Sequence, residues 1–413
     1  MKNGLLTRSI RAVIFLFAFS AADALCFEQH GMVTVEDYYA NDSGTAYDVN
    51  LLTTRVRLDL TKLNESGTLS FHFDGRERTR LSSSDYSSSI PATRIETLDL
   101  EYSGQSVWFS TGRLRPKEFP MERVDGVDFG VRASNYGLGV FAGIRPNPYS
   151  DSLNASFTAA GTYVYYRRDT LTANLAFAHD AYEGATDREY IYSQVTYFPA
   201  SGVMFLGMLT ADIDQIESGV NITNGIFELS YRPDGRKGIA AGFNRFRATR
   251  YYRSLNYDFV DSGQKSFYIS GNYRLLERLN LYGRVERQAR DYPSLTGEFK
   301  HAYVYTAGGN ADNLGSSGIN MDISWTLNDS FDSRHNYYKV DFSRMSYEVL
   351  QLNVTGTYRQ NQYGYINSDN VWSLGASGML FIGKKWTVYL SLDHEDGREY
   401  TSNYVLSRLS FKF

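Results

Sequence analysis

Charged residues occupy every second position of several otherwise apolar segments of this sequence. Arg55, Arg57 and Asp59 alternate with valine and leucine, and Asp99 and Glu101 alternate with leucines. Charges of both signs that face one another across a water-filled passage set up a transverse electric field, which tunes the preference for ions. For each single residue, the alternative is that its charge is simply solvated and has no functional role. The candidate lining residues are Arg55, Arg57, Asp59, Asp99, Glu101, Arg115, Arg132, Arg245, Arg247, Arg284, Arg290 and Asp322.

Two short runs could support other chemistry. His179 beside Asp180 could belong to a hydrolytic site, but no matching Ser or Asp motif accompanies the pair. The run Asp-His-Glu-Asp-Gly at 393–397 could hold a divalent cation at a loop tip, although a solvated hairpin loop is the simpler interpretation. Cys26 is the only cysteine, so there is no intrachain disulfide and no Cys-x-x-Cys-His haem attachment site. We therefore expect no enzyme activity, no metal and no cofactor.

The segments that carry the charged residues have the period of β-strands. From 319 to 327, Ile, Met, Ile, Trp and Leu alternate with Asn, Asp, Ser and Thr. Successive side chains of a strand point to opposite faces, so this pattern gives one apolar and one polar face. Tight turns alternate with longer polar loops, such as 81–91, 146–154 and 250–264. The count is about 22 strands, with a range of 18–22; only the stretch 308–318 fits poorly, because a short turn is expected there.

The last strand carries the most specific pattern. Leu409, Phe411 and Phe413 share one face, and Arg408 and Lys412 lie on the other. A final Phe after alternate aromatic or aliphatic residues resembles the outer-membrane β-barrel proteins of Gram-negative bacteria. The resemblance implies that Leu409, Phe411 and Phe413 form the signal read by the barrel assembly machinery. The family often has Gly where this sequence has Arg408.

A second resemblance covers fewer residues. Gly112-Arg113-Leu114-Arg115-Pro116, followed by Val124-Asp125-Gly126-Val127, looks like the strand ends of porin-like barrels.

The first 24 residues have the organisation of a secretory signal peptide. Lys2, Arg8 and Arg11 precede the apolar run 12–19, and Ala-x-Ala at 22–24 fits a cleavage site. The apolar run is too short to span a bilayer as a helix. We therefore predict a signal peptide at 1–24 and one outer-membrane β-barrel domain at 25–413.

The composition agrees with this division. Removal of residues 1–24 changes the formal net charge from −4 to −6, which excludes a generally basic, nucleic-acid-binding chain. A mean hydropathy of −0.38 suits a barrel, because only alternate residues meet lipid. Strands begin soon after residue 25, so no N-terminal plug domain is expected.

The predicted fold class is all-β, a closed antiparallel transmembrane β-barrel. A strand in hydrocarbon must pair along both edges, because each unpaired backbone group there costs several kcal/mol. Closure of one sheet on itself meets that requirement. Tyr102, Tyr197, Tyr231, Tyr358 and Trp386 would then lie at the membrane interfaces. A secreted soluble sandwich is the competing architecture, but it requires neither a terminal Phe nor so many hairpins.

The resemblance implies an integral protein of the cell outer membrane, with outer-membrane lipid and the barrel assembly machinery as partners and both termini in the periplasm. The first functional hypothesis is a porin-like channel with a charged, Arg-rich lumen. A barrel of 22 strands usually needs a plug, and the predicted loops look too short to fill it. The alternative is therefore a plugless sheath that holds periplasmic and outer-surface multihaem c-type cytochromes for electron transfer.

Overall fold

The computed structural model describes residues 27–44, 47–82, 92–119, 122–147, 150–214, 219–249, 251–253, 263–291, 299–330, 333–363 and 366–413. The predicted signal peptide, and with it the domain boundary at residue 25, lies outside these residues. Within these ranges β-strands dominate, and the single helical element is one 3-10 turn at Leu314–Ser316. None of the described helical segments is long and apolar enough to cross a membrane.

The strands form one closed antiparallel barrel of 22 strands, so the predicted fold class and the upper end of the predicted count are confirmed. The first eleven strands are β1 Glu28–Asp42, β2 Tyr47–Thr61, β3 Leu69–Arg80, β4 Thr93–Ser103, β5 Val107–Leu114, β6 Val124–Ala133, β7 Tyr136–Ile144, β8 Phe157–Arg168, β9 Leu171–Tyr182, β10 Ala185–Ala200 and β11 Val203–Asp214. The others are β12 Gly219–Tyr231, β13 Lys237–Arg247, β14 Gly263–Leu276, β15 Leu279–Asp291, β16 Phe299–Ala311, β17 Ile319–Ser330, β18 Ser333–Ser346, β19 Leu350–Tyr363, β20 Ile366–Ile382, β21 Trp386–Asp396 and β22 Thr401–Lys412.

Strand β22 closes the barrel on β1. The two strands pair from Met32 opposite Lys412 to Asp42 opposite Ser402. Below this ladder the Gly31 N–H donates to the Phe413 carbonyl at 2.9 Å, and the Phe413 N–H donates to the Gly31 carbonyl at 3.1 Å. The Phe413 ring lies over Gly31, where a Cβ would stand 2.2 Å from Cζ of that ring. A side chain at position 31 would therefore displace the Phe413 ring from its place over the first strand.

The residue that departs from the family pattern has a role in the same seam. Arg408 lies opposite Glu36 in the register of β22 and β1. Its guanidinium makes a 2.5 Å ion pair with the Glu36 carboxylate. Arg408 therefore faces the lumen and links the first strand to the last.

The outer face of the barrel is apolar over most of its height. Large apolar side chains that alternate along the strands are exposed there, including Leu98, Leu100, Phe109, Val127, Phe129, Leu138, Val140, Leu229, Ile269, Val285, Val354 and Leu390. The predicted interfacial residues Tyr102, Tyr197, Tyr231, Tyr358 and Trp386 are also exposed. Such a belt, bounded by aromatic side chains, matches a hydrocarbon layer and its interfaces.

A carboxylate on β1 interrupts this apolar face. Asp37 has the strand parity of Val35 and lies opposite Leu52 on β2 and Ser407 on β22. Its Oδ1 atom is buried and has no hydrogen-bond partner. Asp37 is therefore a charged position on an outer wall that is otherwise apolar at this height.

The connections differ between the two ends of the barrel. The end that holds Phe413, here called the terminal rim, has short turns such as 134–135, 169–170 and 201–202. The opposite end, the loop rim, has the long connections 81–92, 115–123, 145–156 and 248–262. The stretch 308–318, which fitted the sequence pattern poorly, consists of the end of β16, residues 312–313, the 3-10 turn and residues 317–318 before β17.

Candidate functional site in the barrel lumen

The connection between β5 and β6 folds into the barrel at its described residues, 115–119 and 122–123, which we call the inward loop. Phe119, at its centre, is fully buried. Its ring lies 5.5–5.6 Å, centroid to centroid, from the rings of Phe141, Tyr190 and Tyr192, which face inward from β7 and β10. The inward loop therefore occupies part of the lumen and forms a constriction there, although the predicted loops look too short to fill the whole lumen.

Two buried carboxylates fix the inward loop to the wall. Glu118 accepts a hydrogen bond from Arg167, and its carbonyl accepts one from Asn174 Nδ2 at 3.1 Å. Glu122 accepts from the hydroxyl of Tyr190. Burial raises the pKa of both carboxyls above their usual range, because desolvation penalises the charged form. The loop is thus held by polar contacts whose strength depends on protonation.

Asp128 on β6 joins the loop to the wall behind it. It is 1% exposed, and its carboxylate accepts from Trp108 Nε1 at 3.3 Å, the Tyr163 hydroxyl at 2.7 Å and the backbone N–H of Lys117 at 3.2 Å. Trp108 lies over Gly130, where a Cβ would stand 2.0 Å from the indole ring. Three donors satisfy a carboxylate that would otherwise be costly to bury.

Below the inward loop, a cavity of about 510 Å³ brings many of the predicted residues together. Arg57, Asp59, Asp99, Glu101 and Arg115 all line it, with His72, Asp74, Lys117 and Asp128. Arg57 makes a 3.1 Å ion pair with Asp74, and Lys117 makes a 2.8 Å ion pair with Glu101. The neighbouring Arg55 also pairs with Asp74, at 2.5 Å. This wall presents both signs of charge, with carboxylates in the majority.

A second cluster, on the loop-rim side of Phe119, is built around two arginines. Arg145 forms a 2.6 Å ion pair with Asp180, and Arg188 forms a 2.8 Å ion pair with Asp212. The phenol ring of Tyr251 lies against both guanidinium groups, at 4.7 Å from Arg145 and 5.6 Å from Arg188. A charged cluster therefore lies on each side of the constriction.

The remaining predicted lining residues are more widely distributed. Arg132 lies over the Trp108 ring at 5.6 Å and donates to Ser103 at 2.8 Å. Arg284 stacks on Tyr268 at 3.6 Å and pairs with Glu286 at 2.7 Å. Arg290 donates to Gln264 at 3.2 Å, and Asp322 accepts from the Tyr282 hydroxyl at 3.0 Å. These residues lie on the inner face and away from the cavity.

Arg245 lies on the face opposite to the one predicted. It has the strand parity of Ile239 and Phe243 and lies opposite Lys265 on β14, which places it on the outer wall. The sequence pattern gave the wrong face because the polar residues Asn244 and Arg245 occupy both parities there. Arg247 ends β13 at the loop rim and donates to Asn221 at 2.7 Å.

The two runs considered for other chemistry have their side chains on opposite faces. His179 contacts Glu189 at 2.8 Å on the outer face, whereas Asp180 faces inward to Arg145. Residues 393–396 belong to β21 and not to a loop tip, so Asp393 and Glu395 lie on one face and His394 and Asp396 on the other. Among the described residues, no group of three or more His, Cys, Asp or Glu side chains could hold a metal ion.

Sequence reasoning missed the constriction itself and the aromatic wall behind it. The residues concerned are Trp108, Glu118, Phe119, Glu122, Arg145, Tyr163, Arg188, Tyr190, Tyr192 and Tyr251. The available signal was the segment Tyr190-Ile191-Tyr192, in which successive residues are all bulky. A strand that is apolar on both parities packs on both faces. This pattern, together with Phe119 in a charged loop, could have indicated an occupied interior.

Known proteins similar to this chain are found among solved structures only. No protein-family model matches the chain, and no curated protein sequence matches it. Among solved structures, the chain is similar to OpdL of Pseudomonas aeruginosa, at 9% identity and a TM-score of 0.47 over 94% of this chain and 99% of that one. For a BenF-like porin from Pseudomonas fluorescens the values are 11% and 0.47 over 94% and 98%. For the anion-selective porin of Comamonas acidovorans they are 11% and 0.36 over 94% and 99%. Similarity at this level transfers no function to this chain.

Proposed function

We propose that this chain is an outer-membrane channel, in which solutes cross a charged lumen at a constriction made by the inward loop. The observation that carries the proposal is the seating of Phe119 on the inner wall, with a charged cluster on each side of it. A loop fixed in this way narrows the passage without closing the barrel against water. Opposed charges at a narrow point act on a permeating ion at short range, where screening by water is weakest.

The cytochrome sheath is not favoured by any observation on the described residues. That alternative was motivated by an interior with nothing to fill it. The inward loop and the aromatic side chains behind it occupy part of that interior. A folded cytochrome would have to share the lumen with this loop, so the channel is the better hypothesis.

The outer membrane is the compartment that best suits an apolar belt on a closed barrel. We propose that the terminal rim faces the periplasm and the loop rim faces the cell exterior, since short turns and long loops segregate in this way in such barrels. Insertion through the Leu409, Phe411 and Phe413 signal is part of the same proposal, as is the absence of catalysis.

The direct test is electrical. Purified protein in a planar bilayer should give steady conductance steps under a salt gradient. Arg115→Gln removes a positive charge from the cavity wall and should move the reversal potential toward cation preference. Glu101→Gln removes a negative charge and should move it toward anion preference. Opposite shifts are expected because both side chains line one cavity beside the constriction.

The matched control is Arg287→Gln on the outer wall, which should leave the reversal potential unchanged. A folded barrel that does not conduct would contradict the channel. Equal shifts from Arg287→Gln and Arg115→Gln would contradict the assignment of the cavity to the ion path, since the effect would then depend only on net charge.

A further inference from the structure

A serine, a histidine and an asparagine meet where β18 and β19 approach the loop rim. Ser333 and His335 lie two positions apart on β18, and therefore on one face of that strand. Asn361 on β19 lies directly opposite His335. The Ser333 Oγ atom is 2.8 Å from Nε2 of His335, and Asn361 Oδ1 is 2.8 Å from Nδ1 of the same ring. We call these three residues the rim triad.

The strand register places the rim triad on the lumen side of the wall. Tyr338 and Phe342 on β18 are 44% and 42% exposed on the outer wall. Ser333 and His335 have the opposite strand parity and therefore face the lumen. Both are partly exposed, whereas Asn361 is 3% exposed. The hydroxyl and the imidazole thus face the lumen, and the carboxamide that holds the imidazole is buried.

The asparagine fixes the tautomer of the histidine. A carboxamide oxygen only accepts hydrogen bonds, so Nδ1 of His335 carries the hydrogen and donates it to Asn361. In the neutral imidazole Nε2 then has a lone pair, and it accepts the hydrogen bond of the Ser333 hydroxyl. A base that contacts a hydroxyl and is oriented by a third group is the arrangement that activates a serine nucleophile.

The other histidines have different surroundings. The chain has six histidines, and all of them lie in the described ranges. His394 provides the nearest comparison, because its Nδ1 lies 2.8 Å from Asn403 Oδ1, but it has no hydroxyl contact among the described residues and belongs to the outer wall. His72 and His179 contact carboxylates instead. The combination of a hydroxyl on one ring nitrogen and a carboxamide on the other is therefore particular to His335 within the described part of the chain.

We propose that the rim triad hydrolyses a water-soluble carboxylic ester that enters the lumen from the loop rim. Ser333 Oγ attacks the ester carbonyl carbon, and its proton passes to Nε2 of His335. The same nitrogen protonates the departing alcohol, which leaves an acyl-serine. Water then attacks the acyl group and gives a proton to Nε2, which returns it to the serine oxygen as the acid leaves. The sum is one ester and one water converted to one alcohol and one acid.

A neighbouring amide is placed to support this reaction. Asn328 on β17 lies opposite His335 on the same inner face. Its Oδ1 atom is buried and has no hydrogen-bond partner among the described residues, so the amide can turn toward a ligand without losing a bond from that oxygen. An asparagine N–H can donate to the oxyanion that forms on the attacked carbonyl. We therefore assign Asn328 the stabilisation of the oxyanion.

The position of the rim triad defines the substrate class. Because Ser333 faces the lumen and not hydrocarbon, the expected substrate is a soluble ester and not a membrane phospholipid. The triad lies on β18 and β19, whereas the cavity beside the constriction is lined from β2 to β6. The absence of catalysis proposed for the channel therefore applies to the ion path alone. The two proposals share only a water-filled lumen.

The first test is covalent labelling. The full-length barrel in detergent is treated with a fluorophosphonate probe, and mass spectrometry should find the adduct on Ser333. Hydrolysis of p-nitrophenyl acetate is measured on the same sample. Ser333→Ala should abolish the adduct at that position and lower kcat at least about a hundredfold. The matched control Ser373→Ala removes another inner-wall hydroxyl, which contacts the Thr357 hydroxyl at 2.6 Å and no histidine, and should retain both signals.

The second test concerns Asn361 as a positioning residue. Asn361→Ala should lower kcat about tenfold or more with little change in KM, because the imidazole loses its orienting acceptor. Asn361→Asp keeps an acceptor and should restore most of kcat. Asn328→Ala should likewise lower kcat rather than raise KM, because an oxyanion forms only during the reaction. Equal kcat values in Asn361→Ala and the original chain would overturn the triad.

Other outcomes would also overturn the proposal. An unlabelled Ser333 in a folded barrel would do so, as would equal rates in Ser333→Ala and Ser373→Ala, because hydrolysis would then not depend on the triad. Turnover of phosphatidylcholine vesicles without turnover of p-nitrophenyl acetate would overturn the substrate class. If Ser333→Ala does not fold, His335→Gln serves in both assays, with the same expected losses. Conductance is recorded on the same samples: a conducting barrel without labelling contradicts only the triad, and a labelled barrel without conductance contradicts only the channel.

Discussion

Two sectors of the barrel wall share one strand pattern and differ in what lies inside them. In β4–β10, the filled sector, the inner face meets the inward loop, and the aromatic side chains with less than 2% exposure are Trp108, Phe119, Tyr163, Tyr190 and Tyr192. In β14–β22, the open sector, inner side chains bond mainly to their neighbours on the wall, as Tyr282 does to Asp322 and Lys339 to Asp341. The outer face is mainly apolar in both.

The difference shows that one surface pattern supports two kinds of interior. The apolar outer face is imposed by lipid and repeats around the whole barrel. The inner face has no such uniform requirement, because water can satisfy its polar groups wherever protein does not cover them. The filled sector exists because the loop at 115–123 brings Phe119 to an inner wall that is already aromatic.

The largest expected contrast comes from removing a ring in each sector. Phe119→Ala empties a fully buried site and should lower the free energy of unfolding by about 3–5 kcal/mol. Phe342→Ala removes a ring that is 42% exposed on the outer wall, with an expected cost of about 2 kcal/mol or less. Reversible urea unfolding in lipid vesicles measures both. Equal losses would mean that the loop does not pack as a core.

A pair of tyrosines sharpens the comparison. Tyr163→Phe removes one of the three donors to buried Asp128, and the expected cost is about 1–3 kcal/mol. Tyr282→Phe removes a donor to Asp322 on the open wall, where water can replace it, so a cost below about 1 kcal/mol is expected. Reversible urea unfolding in lipid vesicles measures the loss of stability in both variants. A larger loss from Tyr282→Phe would show that the open wall is not hydrated.

On the outer wall, Asp37→Leu should stabilise the barrel. The Oδ1 atom of this carboxylate is buried without a hydrogen-bond partner, and the residue has the strand parity of the lipid face. Replacement by leucine should raise the free energy of unfolding by about 1 kcal/mol. Glu36→Leu, one residue away on the inner face, is the control and should not stabilise, because it removes the partner of Arg408. Destabilisation by Asp37→Leu would contradict the assignment of Asp37 to the lipid face.

The smallest effect concerns pH. Because burial raises the pKa of Glu122, the folded protein holds this proton to a higher pH than the unfolded chain does. Stability from this group is therefore present below the ordinary Glu pKa of 4.5 and falls as the pH rises through the raised value. Glu122→Gln should flatten this dependence in unfolding measured from pH 4 to 8.

A turn at the terminal rim provides a control of opposite sign. The backbone N–H groups of Arg236 and Lys237 donate to Asp234 and hold the pKa of that carboxyl below its usual range. Its stabilisation is present above the ordinary Asp pKa and is lost as the pH falls. Asp234→Asn should therefore lower the free energy of unfolding at neutral pH. It should leave that free energy unchanged at acidic pH, where the Asp234 carboxyl is protonated. If stability fell more steeply with pH in Glu122→Gln than in the original chain, burial of the Glu122 carboxyl would be contradicted.

The sequence sufficed for the fold because lipid imposes a strict rule on alternate residues. Segments such as 319–327 have one apolar parity, and the structure confirms the closed barrel of 22 strands. The lumen was harder to predict because water tolerates many side chains. Phe119 is one apolar residue in a polar loop, and nothing local says which wall it meets. Arg245 was assigned to the wrong face because local polarity near a rim no longer follows the period of two.

The seam between Gly31 and Phe413 has a consequence for assembly. Every other pairing joins neighbouring segments of the chain, so hairpins can be added one after another at low entropic cost. The seam alone pairs the first strand with the last. Until it forms, the sheet has two edge strands whose backbone N–H and C=O groups have no partner in hydrocarbon. We therefore expect closure to be the slowest step of barrel formation, and the packing of the Phe413 ring over Gly31 is completed only in that step.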